Sequence, residues 1–424
     1  MKMRLGMNIG AGTWQVTSSG QPVPGGRNGT EYTYATKDEL NLAAASGVKA
    51  VRMGGAVSRF YATPTATVLN PDVAALIASI DHARSLGMDV YFAFHEYGYS
   101  YGQTITVATV PLTIRAFEAL AKYKSDPGFI PCSWNEPHSI LSTYWPIIEA
   151  FRSQMRAAGW SNLLGLSADN WAGFGQIGDQ IPKFVAMNDQ KIVIEGHYYH
   201  DIADPWGWSG KGHTADIWAL TAADIGTDKF KQVVNTNWDR AFKGSLDKAR
   251  AAGLKLFIGE TSLPFGPVGN AVRRMVIPKF EAYADVLRDR LLWLGATTQS
   301  SGDPNRLFAK GADGKPVAAP LLLDEVAARQ EFEPVAPPVV VSPPVVTPPP
   351  VVTPPPVVTP PPVVEPPVVV PPVVVPPVTT PPPVTPPAND QRARLDKVRL
   401  EVNALKNGAT RALYAIDKAI EGMG

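Results

Sequence analysis

The sequence predicts an α/β fold, a (β/α)8 TIM barrel, followed by a proline-rich linker and a C-terminal coiled-coil-like helix. Three observations carry this prediction. First, apolar strand-like runs recur along the first 332 residues: "MRLGMNI", "VKAVRMG", "MDVYFAFH", "GFIPCSWN", "LLGLSA", "KIVIEGHYY", "LKLFIGE" and "RLLWLGA". Most are separated by helical stretches such as "KDELNLAAASG", "NPDVAALIASIDHARSLG" and "YWPIIEAFRSQMRAAG", the alternation of a parallel sheet wrapped in helices. Second, several helices stop at a glycine that hands directly to a strand, in "SGVKAVRM", "LGMDVYF" and "AGLKLFIG"; glycine is the usual left-handed stop. Third, eight strands over about 320 residues suit a closed barrel. The alternative, an open doubly wound sheet, lacks the Gly-rich phosphate loop after its first strand.

The barrel is expected over residues 1–332. From 333 to 388 the text becomes "PVAPPVVVSPPVVTPPP…", and more than half of the chain's 42 prolines lie there. Proline fixes φ and removes donors, so this stretch predicts an extended polyproline spacer. At ~3.1 Å per residue it can reach on the order of 170 Å. Residues 389–424 then place Leu395, Val398, Val402, Leu405, Ala409, Ala412, Ile416 and Ala419 at alternating steps of three and four, a heptad seam. Asn389 or Asp390 can cap its start. A lone seam has nothing in cis to cover it, which predicts a homo-oligomer or a docking partner; Gly408 and the alanines keep a helical hairpin as the alternative.

Composition narrows the function classes. With 39 Lys and Arg against 38 Asp and Glu, the net charge is +1, which gives no electrostatic reason to expect nucleic acid or an acidic membrane surface. No apolar run is long enough for a membrane span. The first residues, "MKMRLGMNIGAGTW", hold no apolar stretch of the length a secretory leader needs. The one cysteine, Cys132, sits inside a strand and reads as a buried inert thiol. No cofactor or metal is expected: "HYYHD" with His213 fits no strong ligand spacing.

In a barrel the chemistry sits at the C-terminal ends of the strands. Those ends carry Arg52, His95, Asn135 with Glu136, Asn170 with Trp171, His197 with Tyr199, Glu260, and Trp293. Charged residues at such places are rarely buried without partners. Paired carboxylates, Glu136 and Glu260, are what glycosidic cleavage uses: one protonates the leaving oxygen, the other attacks the anomeric carbon or activates water. Arg52 can hold the attacking carboxylate ionised, and Tyr199 can donate to the same oxygen. His95 and His197 can bind sugar hydroxyls or orient the acid. Trp171 and Trp293 offer faces on which pyranose rings stack, and Trp206 and Trp208 in the long loop "HDIADPWGWSGKGHTADIW" are further platforms.

"WNEPH" followed at barrel spacing by "IGETS" resembles the family 5 glycoside hydrolases, retaining (β/α)8 enzymes that include cellulases and β-mannanases. Residues 1–332 carry the match in order, with Arg52 in "VRM", His95 in "FHEYG", Asn135 and Glu136 in "WNEP", His197 and Tyr199 in "HYY", Glu260 in "GET" and Trp293 in "LLWLGA". The resemblance implies Glu136 as acid/base, Glu260 as nucleophile, Asn135 as ligand of the 2-hydroxyl, and carboxyl groups ~5–5.5 Å apart. One departure stands out. Where many relatives carry an acidic residue two before the strand-three histidine, this chain has Ala93, and the acid follows as Glu96.

The expected function is therefore an endo-β-1,4-glucanase, with mannan or another β-glycan as alternative substrate. The competing class is a non-catalytic carbohydrate-binding or adhesion protein on a barrel scaffold. An external polysaccharide substrate, a spacer and a seam-bearing helix together suggest a virion-associated or lysis-released enzyme. "NGT" at Asn28 is an acceptor sequon whose use depends on the host.

Overall fold

Eight parallel strands close on themselves in a computed structural model of the chain, in the order β1-β8-β7-β6-β5-β4-β3-β2. The strands are β1 (Arg4–Ala11), β2 (Ala50–Gly55), β3 (Asp89–Phe94), β4 (Phe129–Trp134), β5 (Leu164–Ser167), β6 (Ile192–Tyr199), β7 (Lys255–Ser262) and β8 (Leu287–Leu292). Seven coincide with the apolar runs of the sequence, and β8 begins at Leu287, three residues before the run "RLLWLGA" expected for it. The structure describes residues 3–11, 27–28, 32–199, 217, 220–262, 266–292, 307–313 and 315–330, Tyr199 by its backbone. The expected linker (333–388), the expected helix (389–424), Trp206, Trp208 and Trp293 lie outside these residues.

The helices that cover the barrel are α1 (Lys37–Ala45), α2 (Val73–Ser85), α3 (Val110–Glu118), α4 (Tyr144–Ala157), α5 (Ile177–Ala186), α6 (Asp228–Trp238), α7 (Gly244–Ala251), α8 (Gly266–Glu281) and α9 (Pro320–Gln330). Local chemistry explains their ends. Thr36 and Glu39 form a reciprocal capping box at the start of α1, which satisfies donors the first turn leaves orphaned. Gly87 and Gly253, at φ 73° and 69°, end α2 and α7 in the left-handed conformation, as the sequence predicts. Among the described residues no helix is long and apolar enough to cross a membrane.

The core has two layers. Inside the barrel, Ala50, Tyr91, Ala93, Ile130, Cys132, Val193 and Phe257 pack together. Outside, alternate strand residues meet the helices: Phe94 stacks edge-on to Phe117 of α3 at 5.0 Å, and Trp134 lies 5.4 Å from Phe151 of α4. These aromatic contacts anchor β3 and β4, the second of which ends two residues before Glu136.

Two register shifts matter for the site. Phe92 pairs with Pro131 but Phe94 pairs with Trp134. Likewise Gly196 pairs with Ile258 but His197 pairs with Glu260. Strands β4 and β7 therefore each carry one extra residue immediately before the barrel mouth, a β-bulge. Inward-facing positions step by three there, from Cys132 to Asn135 and from Phe257 to Glu260.

Candidate active site

Arg52 is the hub of the barrel mouth. Rising on β2, it is buried at 2% exposure, so its charge must be compensated locally. One terminal nitrogen donates to Asn8 Oδ1 at 3.0 Å and to Glu260 Oε1 at 2.9 Å. The other donates to Asn135 Oδ1 at 2.6 Å and pairs with Glu195 Oε1 at 2.7 Å. Asn8 is itself fixed by donating to Gly259 O at 2.8 Å.

His197 joins the three carboxylates. Its Nδ1 stands 2.9 Å from Glu136 Oε1 and 3.7 Å from Glu260 Oε2, and its Nε2 lies 3.0 Å from Glu195 Oε1. Burial alone would lower this imidazole, but the charge of Glu260 and the hydrogen bonds to Glu136 and Glu195 outweigh it and raise it to about 10. Burial likewise pushes Glu195 up, and the charges of Arg52 and His197 reverse that and hold it below its ordinary value. His95, 3.9 Å from Glu260 Oε1, has no such help: burial, then the charges of Arg52 and His197, hold it well below its usual range and neutral.

The two predicted carboxylates differ in setting. The Glu260 side chain is 3% exposed and the Glu136 side chain 15%, so Glu136 is the one that reaches toward the open cleft. One oxygen of each, with His197 Nδ1, fall within 4.8 Å of one another. Glu136 adopts φ 43°, a left-handed backbone that costs about 1–3 kcal/mol for a non-glycine residue. Pro137, at φ −75° and ψ 56°, makes an inverse γ-turn. It lets His138 N donate to the backbone carbonyl of Glu136 at 2.6 Å, which holds the strained backbone in place.

Asn135 lies fully buried, and among the described residues nothing accepts from its Nδ2. That leaves one buried donor for a ligand. Asn170 and Trp171 are also left-handed, at φ 49° and 62°. Asn170 Nδ2 donates to Gln176 Oε1 at 3.0 Å. Trp171 stacks face to face on His138 with ring centres 3.4 Å apart, and Tyr97 completes an aromatic wall beside Glu136. The backbone of Tyr199 ends β6 as predicted.

Glu136, His197 and Glu260 each offer an atom that a metal ion could use; the same contacts suit a ring that carries protons on both nitrogens. Sequence reasoning missed Glu195, Asn8, Gly259, Tyr97 and His138. Glu195 had a signal: it is an acidic residue in the otherwise apolar start of "KIVIEGHYY", two positions before His197 and therefore on the same face. Glu96, the displaced acid, lies fully buried and accepts from Val57 N at 3.0 Å; it serves the short turn Val57–Phe60.

A closed parallel barrel with a carboxylate pair held by arginine and histidine at its mouth defines a class, the barrel glycoside hydrolases. A family model for cellulase (glycosyl hydrolase family 5) matches residues 16–277, and the chain belongs to that family. Endoglucanase gh5-1 of Neurospora crassa is 26% identical over 273 residues, 63% of this chain and 64% of the relative. This chain therefore matches under two thirds of that relative's length. Among solved structures, an endo-beta-1,4-glucanase from Xanthomonas axonopodis pv. citri has a TM-score of 0.60 at 20% identity, over 77% of this chain and 99% of the other. Cel5A (EG2) from Hypocrea jecorina has a TM-score of 0.59 at 17% identity, over 76% and 98%. The Pseudomonas stutzeri endoglucanase Cel5A, in complex with cellobiose, has a TM-score of 0.57 at 20% identity, over 77% and 91%. At these identities the structures are alike in fold.

Proposed function

We propose that this chain is a retaining β-glycosidase that cuts β-1,4-glucan internally, with Glu136 as acid/base and Glu260 as nucleophile. The observation that carries the reading is the short approach of the two carboxylates, one oxygen of each within 4.8 Å. It supports the ~5–5.5 Å arrangement of retaining enzymes over the ~6.5–9.5 Å that leaves room for water in inverting ones. In the first step a Glu260 oxygen bonds to the anomeric carbon, the glycosidic C–O bond breaks, and the Glu136 proton passes to the leaving oxygen. In the second, a water gives its proton to Glu136 as its oxygen replaces Glu260 on the sugar. Arg52 keeps Glu260 ionised for the attack. The orphaned Asn135 Nδ2 is the donor for the 2-hydroxyl, a contact that strengthens in the transition state.

The choice of substrate rests on the relatives, whose names are those of endoglucanases, one of them bound to cellobiose. The test is reducing-sugar release from soluble β-1,4-glucan, mannan and xylan by wild type and Glu260→Gln. Release from glucan by wild type, reduced on the order of 10⁴-fold or more in the variant, is the expected result. Equal release by the two removes Glu260 as nucleophile, and release from mannan or xylan alone replaces the substrate.

A further inference from the structure

The network below the carboxylate pair holds a third acid that the cleavage steps leave without a task. Glu195 is wholly buried. One of its oxygens is shared between Arg52 NH2 at 2.7 Å and His197 Nε2 at 3.0 Å. The other has no partner among the described residues. An ion pair kept for stability alone would satisfy both oxygens, since a half-satisfied buried carboxylate is costly. The barrel also makes room for it: a Cβ on Gly259, the extra residue of β7, would lie 2.1 Å from Glu195 Oε1.

We infer that Glu195 is a positioning residue of the reaction: it anchors His197 as a two-sided imidazolium donor that follows the negative charge as it passes between Glu260 and Glu136. The inference rests on the assignment of those two residues as nucleophile and acid/base. Before the reaction, Glu195 and Glu260 are balanced by Arg52 and His197, and Glu136 carries its proton. After the first step Glu260 is an uncharged ester and Glu136 has lost that proton, so the negative charge has crossed the cleft while the total stays zero. His197 Nδ1 stands on the line of that transfer, 2.9 Å from one carboxylate and 3.7 Å from the other. A small swing about the Nε2–Glu195 contact moves its hydrogen bond from one to the other. A neutral ring with its proton on Nε2 would accept from Glu136 instead and follow nothing.

The groups that face His197 are Glu195 on its own strand, Glu260 from β7, Glu136 from the end of β4, Arg52 from β2 and His95 from β3. Only the three carboxylates favour its proton. Removing Glu195 leaves the charge of Arg52 against fewer anions, and the ring must lose its proton at lower pH.

The experiment is ¹⁵N NMR of the full chain labelled at its six histidines, with the His197 signal identified by its loss in His197→Gln. In wild type both ring nitrogens are expected to carry protons at pH 8. In Glu195→Gln the ring proton should be lost about one pH unit lower or more, and kcat on soluble β-1,4-glucan should fall about tenfold or more with KM within about twofold. Gly259→Ala pushes the carboxylate aside without removing its charge and should shift both readings in the same direction, which keeps the test available if Glu195→Gln does not fold. A neutral His197 in wild type at pH 8 overturns the inference without any variant. An unchanged titration and full activity in Glu195→Gln overturn it alone, whereas a wild type that releases no sugar overturns it together with the glycosidase reading.

Discussion

Glu96 shows how far a single residue can depart from what its sequence neighbours suggest. It follows His95 and stands in for the acid that many relatives place before it, yet it points away from the carboxylate pair and accepts from Val57 N. Burial raises its carboxyl to about 8, against the opposing effects of that N–H and of Arg59. The folded protein therefore keeps a proton that the unfolded chain releases near the ordinary carboxylate range. Stability falls as pH rises from about 4.5 to about 8 and is level above that. Glu96→Gln is expected to match wild type at pH 5 and to melt at a higher temperature at pH 9, read by thermal unfolding at the two values. At this scale the strand ends were the most readable feature: Arg52, Glu136 and Glu260, picked out there in the sequence, lie together in the fold. The sequence was least readable for Asn8 and Gly259, whose roles depend on neighbours hundreds of positions away.

Elements were legible through their periodicity, and seven strands lie where apolar runs predicted them; β8 starts early because its charged first half, Arg288 and Asp289, hides it from an apolar count. Their local irregularities were not. A strict period of two from Phe257 would turn Glu260 to the outer face, and the same count from Cys132 would misplace Asn135. The bulges that correct both are set by pairing with β3 and β6, information a single strand does not hold. Another contact the sequence could not announce ties α9 to the barrel. Glu325 accepts from Arg273 Nε of α8 at 2.9 Å and pairs with Arg290 of β8. Burial pushes this carboxyl up, but the charges of Arg290 and Arg273 bring it down to about 2. Its stabilising contribution is present above the ordinary carboxylate range near 4.5 and is lost as pH falls through about 2. Glu325→Gln strands two buried guanidinium groups and should cost about 3–5 kcal/mol at pH 7, measurable by urea unfolding.

At the scale of the molecule, composition separates a globular stretch from a proline-rich one more sharply than any motif does. A stretch so rich in proline is not expected from its sequence to form a core, and the barrel's stability is expected to be its own. A chain ending near residue 332 is expected to keep the melting temperature of the full chain, and the C-terminal seam predicts that it has the lower mass in solution. Equal mass of the two chains in solution, by sedimentation or light scattering, would remove the C-terminal seam as an assembly device. The site residues come from β1, β2, β6 and β7 and from the residues that follow β3 and β4, so the whole closed sheet is needed to bring them together.

The chain's one thiol turns that requirement into something that can be watched. Cys132 is fully buried inside the barrel, three residues before Asn135, and burial holds its thiol well above its ordinary value. A thiol reagent cannot reach it while the strands stay closed. The rate at which the wild-type protein is labelled therefore counts barrel openings directly. It does so without an introduced probe, on the strand that leads to Glu136, and a bound ligand that holds the mouth shut would slow it.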